Sequence, residues 1–333
     1  MEQEIRFLTS EQGAFPYAAV GAGPPLVMPC WWIGSVEEQW EWRGFREFVR
    51  ALGREHTVVR YSRAEASPPV ADLALEVHLL ERVVAEIGAP VSLFGASSAG
   101  CSAIALAAER PELVDKIVLY GAYADGKRIA TPEMRSSLVG LLRDNWALGA
   151  RALADLFMPD ATADEREWFA RKERRSASPA TAAAWLQTVY ELDAGSLLDR
   201  VRAPTLVLHR QNDRAIPFAL GRELAAGIPA ARFVPLQGRD HLPWIGDVGS
   251  VLRPTLAFLG TAIALEEVDG SPLSEREREI LALVARGLSN AEIASQLVLS
   301  PHTVHRHVAN LRRKLRQPSR AAAVAEAARL GLI

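Results

Sequence analysis

Three residues of this chain have the types and the order for nucleophilic catalysis: Ser97, Asp213 and His241. Ser97 lies in Val91-Ser92-Leu93-Phe94-Gly95-Ala96-Ser97-Ser98-Ala99-Gly100, which runs from a buried strand pattern into a helix pattern. A sharp strand-to-helix turn needs small residues two before and two after its apex, because neighbouring backbone otherwise collides. Gly95 and Ala99 fill those places, with alanine where glycine is usual. Such a turn presents the Ser97 hydroxyl at the sheet edge and the Ser98 N–H at a helix start, where it can donate to an anion. The bland alternative is a small-residue crossover without chemistry. Asp213 follows one strand pattern and His241 the next, each in a loop at a carboxyl end, so all three can converge. His241 would take the proton from Ser97, and Asp213 would orient the imidazole and stabilise its charge. The competing reading makes His241 an ordinary loop histidine. Asp240 neighbours His241 but occupies a different slot, so Asp213 is the preferred acid, and His209, inside a strand, reads as structural.

A second set of residues suits DNA. Leu273–Leu315 spells out three short capped helices, with Ser274/Glu277 and Ser289/Glu292 as Ser-x-x-Glu capping boxes. Gly287 stops the first helix, and Ser300-Pro301 opens the third. In that third helix Val304, Val308, Leu311 and Leu315 make one apolar stripe. The opposite face carries His302, Arg306, Ala309 and Arg313, flanked by His305 and Asn310. A small helical unit with a polar, basic outward face suits a major groove. From Ser271 onward there are 10 basic and 5 acidic residues, against 28 basic and 35 acidic before it. A basic tail on an acidic body is the asymmetry expected of a protein whose end meets phosphate.

The elements that must position these residues alternate short β-branched runs with helical stretches. Strands are expected at Glu4–Leu8, Tyr17–Val20, Pro25–Pro29, Thr57–Tyr61, Val91–Phe94, Ile117–Tyr120, Thr205–His209 and Arg232–Pro235. Helices are expected at Glu37–Leu52, Leu73–Ile87, Ser98–Glu109, Phe218–Ala226 and Val248–Phe258. Alternation of this kind predicts a mostly parallel sheet with helices on both faces, opened here by two antiparallel strands. Between Asp125 and about Asp193 the pattern is helical only, which reads as a lid over the carboxyl edge of the sheet. Asp269-Gly270-Ser271-Pro272 marks a linker over 266–272. The division is thus 1–265, linker, and 273–333. At 333 residues and 49% hydrophobic content the chain has material for one large domain and a small one. The opening Met-Glu-Gln-Glu-Ile-Arg lacks a signal-peptide core, and no apolar run nears the roughly 18 residues of a membrane span. Cys30 and Cys101 form neither a disulfide framework nor a metal spacing, so the chain reads as cytoplasmic, with no metal and no cofactor.

The tail resembles the LuxR/GerE-type helix-turn-helix domain. The residues that carry the resemblance are Leu-Ser-Glu-Arg-Glu at 273–277, Gly287-Leu288-Ser289-Asn290, Glu292-Ile293-Ala294, Leu299 to Val304, Asn310-Leu311, Lys314-Leu315 and Ser319-Arg320, with a fourth helix over Ala321–Leu332. It implies double-stranded DNA bound through Ser300–Leu315 and a homodimer formed through the fourth helix. Base-reading positions then fall on His305, Arg306 and Ala309, where several relatives carry lysine at the first and last. Thr303, Asn310, Arg313 and Lys314 complete the expected DNA face, with Lys314 on phosphate.

The large domain resembles an α/β-hydrolase with a helical cap, over roughly Ile5 to Gly260, on its elbow, acid loop and histidine loop and on the order Ser…Asp…His. The implied fold is a mostly parallel eight-stranded sheet with a helical lid, plus a small all-α helix-turn-helix domain. After the third strand most members carry His-Gly; this chain has Pro29-Cys30-Trp31-Trp32. A backbone N–H near Trp32 then joins that of Ser98 as oxyanion donor, in a narrowed, aromatic pocket. Tyr61-Ser62-Arg63-Ala64-Glu65-Ala66-Ser67 likewise lacks the common Asp-x-Arg-Gly, and slow or absent turnover is compatible with both departures. Core packing is the default use of indoles. Even so, Trp31, Trp32 and Trp244 near the site and Trp146, Trp168 and Trp185 in the lid suit a small apolar or aromatic ligand, such as an ester or lactone. Three functions follow: a ligand-responsive DNA-binding regulator, favoured; a serine hydrolase whose tail only localises or regulates it; and a constitutive DNA-binding protein with an inert scaffold, disfavoured by the intact Ser, Asp and His.

Overall fold

The computed structural model describes residues 1–10, 13–63, 72–88, 90–260, 275–297, 299–315 and 317–329. The chain divides into two compact units, Met1–Ile263 and Ala264–Ile333. The expected linker and Ser274 lie outside the described residues.

The large unit is built on an eight-stranded sheet: β1 (Glu4–Ser10), β2 (Gly13–Val20), β3 (Pro25–Met28), β4 (Thr57–Tyr61), β5 (Val91–Ala96), β6 (Val114–Tyr120), β7 (Thr205–Arg210) and β8 (Arg232–Leu236), in the order β1-β2-β4-β3-β5-β6-β7-β8. Strand β2 pairs antiparallel with both β1 and β4, and the remaining pairs are parallel. Side chains alternate across each strand. Phe94 and Leu208 therefore enter one core with helices α2 (Arg43–Leu52) and α10 (Gly249–Leu259), while Leu93 and Val207 enter the other with α3 (Leu73–Ile87), α4 (Ala99–Glu109) and α9 (Phe218–Gly227).

One expected helix breaks in two. Glu37–Leu52 is split into α1 (Val36–Glu41) and α2, because Trp42 adopts extended backbone, φ −79° and ψ 112°. Its indole packs on Trp168, Phe169 and Trp244, and tertiary packing has overridden local helix propensity.

The lid holds α5 (Pro132–Asp144), α6 (Trp146–Phe157), α7 (Ala163–Ser176) and α8 (Pro179–Glu191), with α5 against α8 and α6 against α7. Its two ends are fastened together by an antiparallel bridge between Asp125 and Asp193. Two backbone bonds, Ala194 N to Ala124 O (2.8 Å) and Gly126 N to Leu192 O (2.9 Å), continue that seam.

The small unit contains α11 (Glu275–Ala285), α12 (Asn290–Leu297), α13 (Pro301–Lys314) and α14 (Arg320–Arg329). Gly287, at φ +87°, ends α11 with bonds from its own N–H to Val284 and from Leu288 N to Leu283 O, the paired bonds of a Schellman turn. Ser289 caps α12 reciprocally with Glu292, and Ser300 accepts from Thr303 N at the start of α13. Val304, Val308, Leu311 and Leu315 pack with Ile280, Leu281, Ile293, Ala323 and Ala327 in one core. No helix among the described residues is long and apolar enough to cross a membrane.

Candidate functional site

Strand β5 ends at Ala96, and Ser97 follows with φ +53°, a conformation that non-glycine residues avoid at a cost of roughly 1–2 kcal/mol. The surroundings hold it there. Ser97 N donates to Tyr120 O of the neighbouring strand at 2.9 Å. A Cβ on Gly95 would stand 3.1 Å from Ala99 O and 3.2 Å from the Ala103 Cβ, and one on Gly100 would stand 2.6 Å from the Ala122 Cβ. Gly100 is therefore a steric requirement, and a side chain on Gly95 would crowd α4.

Asp213 and His241 meet at the carboxyl ends of β7 and β8. His241 Nδ1 lies 2.8 Å from Asp213 Oδ2, and both side chains are almost wholly buried. The other carboxylate oxygen accepts from the backbone N–H groups of Ala215 (2.9 Å) and Ile216 (3.1 Å). Burial pushes the Asp213 carboxyl up, but His241, His209 and the Ile216 N–H together outweigh it and hold the group below its usual value. Gly121, at φ +53°, makes room: a Cβ there would lie 3.2 Å from the imidazole. His241 N donates to Phe157 O of the lid at 2.7 Å, which fixes the loop against α6. Ser97 and His241 line one cavity of about 50 Å³, with Trp31, Trp32, Phe157, Leu186, Val189 and Tyr190 among its walls.

Asp240 takes a different place. Its carboxylate accepts from Asp160 N of the lid at 3.0 Å, and burial raises its pKa. His209 stands beneath Asp213, 3.6 Å from its Oδ2, with Nε2 bonded to Ile216 O at 3.0 Å. Burial lowers its pKa against the pull of Asp213, and the ring buttresses the acid loop.

Of the expected oxyanion donors, the Ser98 N–H sits at the start of α4 and the Trp32 N–H in the loop after β3; among the described residues neither is engaged by a backbone partner. The tryptophans separate into two groups. Trp31 and Trp32 line the cavity, and Trp185 faces a smaller adjoining one. Trp146, Trp168 and Trp244 stand away from the cavity. Trp146 donates to Ala177 O inside the lid, Trp168 stacks on Trp42, and Trp244 packs between Trp31, Trp42 and Phe45. These three fill interfaces between helices, the ordinary use of large aromatics.

Sequence reasoning missed several residues that shape the site. Phe157 lies against Trp31, Trp32 and the His241 ring. Arg210, fully buried, donates to the carbonyls of Asp240 (2.8 Å), Leu242 (3.2 Å) and Ile245 (2.6 Å) and so shapes the histidine loop. Glu173 of the lid accepts from Trp32 Nε1 at 2.7 Å and pairs with Lys172, which also reaches Ile33 O. Burial pushes the Glu173 carboxyl up despite that pairing. Arg210 directly follows the expected end of β7, a weak signal; Phe157 and Glu173 carry none, since the tryptophans they meet at the site are remote in sequence.

On the small unit, α13 turns its apolar stripe inward and leaves His305, Arg306 and Ala309 exposed. Asn310 is half-buried. Thr303 is also half-buried, and its hydroxyl bonds Ser300 Oγ at 2.7 Å within the cap. The side chains of Arg313 and Lys314 lie outside the described residues. Other basic residues have structural partners: Arg276 donates to Leu297 O, Arg312 to Pro318 O, and Arg320 to Asn290 and Leu288 O.

Comparison with known proteins gives two matches on one chain. Residues 26–249 match the model of the alpha/beta hydrolase family, and residues 271–327 that of the bacterial regulatory proteins of the luxR family. A 2-hydroxy-6-oxononadienedioate/2-hydroxy-6-oxononatrienedioate hydrolase of Cupriavidus pinatubonensis is 31% identical over 181 residues, 51% of this chain and 62% of that protein. The transcriptional regulatory protein UhpA of Escherichia coli is 45% identical over 60 residues, 17% of this chain and 31% of that one. This chain thus spans less than two thirds of the length of either relative. Among solved structures, a hydrolase from Pseudomonas aeruginosa superposes with a TM-score of 0.66 at 21% identity, covering 78% of this chain and 99% of that one. The enol-lactonase from Burkholderia xenovorans does so at 0.64 and 21%, covering 77% and 100%. The chain therefore belongs to the alpha/beta hydrolase family and carries, over residues 271–327, a C-terminal domain that matches the model of the luxR-family regulatory proteins.

Proposed function

We propose that this protein is a ligand-responsive transcription regulator, acting in the cytoplasm as a homodimer. The hydrolase-fold cavity takes a small apolar or aromatic molecule, an ester or lactone by its chemistry, and α13 binds operator DNA. The observation that carries the proposal is the coexistence, in one chain, of a lidded cavity holding Ser97 and His241 with a helix that leaves His305 and Arg306 exposed over a complete core. The cavity walls include no lysine or arginine among the described residues. That lining suits an uncharged ligand, unlike the dienedioate named for the 31% identical relative. At about 50 Å³ the cavity has room for a few waters only, so ligand entry requires the lid to move.

The second reading, a serine hydrolase with a regulatory tail, is favoured by one observation: His241 bonds Asp213 and lines the same cavity as Ser97, which has a positive φ. In that chemistry Ser97 Oγ attacks the carbonyl carbon, and His241 takes its proton with Asp213 stabilising the imidazolium. The N–H groups of Ser98 and Trp32 hold the oxyanion. His241 then protonates the leaving group, and water releases the acyl group. Sensing and slow turnover can share one site. The test is twofold. A fluorophosphonate should label Ser97, and Ser97→Ala should abolish labelling while Ser98→Ala should not. The full chain and the piece 271–333 should each shift a fraction of a genomic DNA pool; failure of both rules out the regulator.

A further inference from the structure

The loop Cys30–Trp32 has no regular secondary structure, yet the oxyanion role proposed above requires a fixed Trp32 N–H. A trans peptide is planar, so the N–H of Trp32 points opposite to the carbonyl of Trp31. That carbonyl accepts a hydrogen bond from the Ser98 hydroxyl, one residue past the elbow serine. The carbonyls on either side are held by a single guanidinium: Arg63 Nη2 donates to Cys30 O at 3.3 Å and Nη1 to Trp32 O at 2.9 Å. Three consecutive carbonyls are therefore tied down.

Arg63 has no donor to spare. Its Nη1 also donates to Cys30 Sγ at 2.9 Å, and Nε and Nη2 donate to Glu76 Oε1 (2.8 Å) and Oε2 (3.0 Å). A guanidinium has five N–H groups, and these five bonds engage all of them. The small cavity that Arg63 lines is accordingly no anion subsite, despite the buried cation. Trp185 of lid helix α8 covers the guanidinium face, 3.9 Å from its ring centroid. Arginine suits this place because its planar fork holds several acceptors in one geometry, which a lysine ammonium cannot do.

We propose that Arg63 and the Ser98 hydroxyl are positioning groups that fix the Trp32 N–H as an oxyanion donor. The inference rests on the reading of Ser97 as nucleophile. Two measurements on the full-length chain test it, with Arg63→Lys and Ser98→Ala. The first is the second-order rate of Ser97 labelling by a fluorophosphonate, together with hydrolysis of p-nitrophenyl acetate. Each variant should label and turn over roughly 10- to 1,000-fold more slowly, the upper part of that range being the roughly 100- to 1,000-fold seen when one oxyanion donor is lost outright. KM should stay within about threefold, since the donor acts chiefly on the transition state. Wild-type rates in both variants would overturn the proposal. The second is the fluorine resonance of Trp32 in 5-fluorotryptophan-labelled protein, assigned through Trp32→Phe. It should shift or broaden in both variants, and an unmoved resonance in both would overturn the proposal too. If the wild-type chain neither labels nor turns over, the nucleophile reading fails, and the fluorine signal alone decides whether Arg63 and Ser98 hold the loop. Ser98→Ala removes no charge, so the test survives if Arg63→Lys does not fold.

Discussion

At the scale of residues, the site depends on a few buried polar groups placed by steric need. The tight turn at Ser97 and the meeting of Asp213 with His241 are legible in the sequence because each has a local sign: small neighbours around the serine, and loops at carboxyl ends for the other two. Arg63 and Glu173 are not, since the partners of Arg63 lie 13 to 33 residues away and the Trp32 indole that Glu173 binds lies 141 residues away. A pH experiment checks the account of Asp213. Its folded pKa lies below the unfolded value, so the ionised form stabilises the fold above about pH 4. That contribution is lost as pH falls through the folded pKa. The difference in unfolding free energy between wild type and Asp213→Asn should therefore shrink steadily from pH 5 downwards. A difference independent of pH would refute the linkage.

Among the elements, the lid is an insertion whose ends meet at the Asp125–Asp193 bridge. Its extent was readable from the loss of strand alternation. Its grip on the sheet edge was not, because α7 holds Trp32 and Ile33 through the buried pair Lys172 and Glu173. Removing one member of a buried pair leaves the other uncompensated, at about 3–5 kcal/mol, whereas replacing both by apolar groups costs far less. Urea unfolding should thus show Glu173→Leu destabilised by about that amount and the double variant Lys172→Met/Glu173→Leu largely restored. Equal losses in the two would mean that the pair carries no coupling. Trp185 offers an optical check, since it covers Arg63 from the lid. Occupying Ser97 with an alkyl fluorophosphonate should change tryptophan emission, and Trp185→Phe should diminish that change; an undiminished change would place the moving indole elsewhere. The break of the helix at Trp42 shows the limit of local patterns, for the cause is an aromatic cluster assembled from three remote segments.

At the scale of the whole molecule, the sequence separates an acidic body from a basic tail, and the caps of α12 and α13 stand where their Ser and Glu residues predict. The DNA-binding prediction follows from α13. A dimer should select an inverted repeat with half-site centres about 10 base pairs apart. Arg306→Ala should relax discrimination at one base pair by roughly 1–3 kcal/mol, while Lys314→Ala should weaken all sequences alike. Binding titrations against a panel of single-base operator variants distinguish these two patterns, and uniform weakening by Arg306→Ala would remove it from the bases.

A ligand-responsive regulator changes its DNA affinity when the hydrolase-fold cavity is occupied. Coupling exists only if the occupant differs in affinity between DNA-competent and incompetent states, and it is then reciprocal. The most direct measurement is the operator-binding isotherm of the full-length chain, first with Ser97 free and then with Ser97 fully labelled by a long-chain alkyl fluorophosphonate that fills the apolar cavity. Labelling should change the operator Kd by about 5- to 150-fold. An identical Kd at complete labelling would contradict it and leave a hydrolase joined to an independent DNA-binding domain.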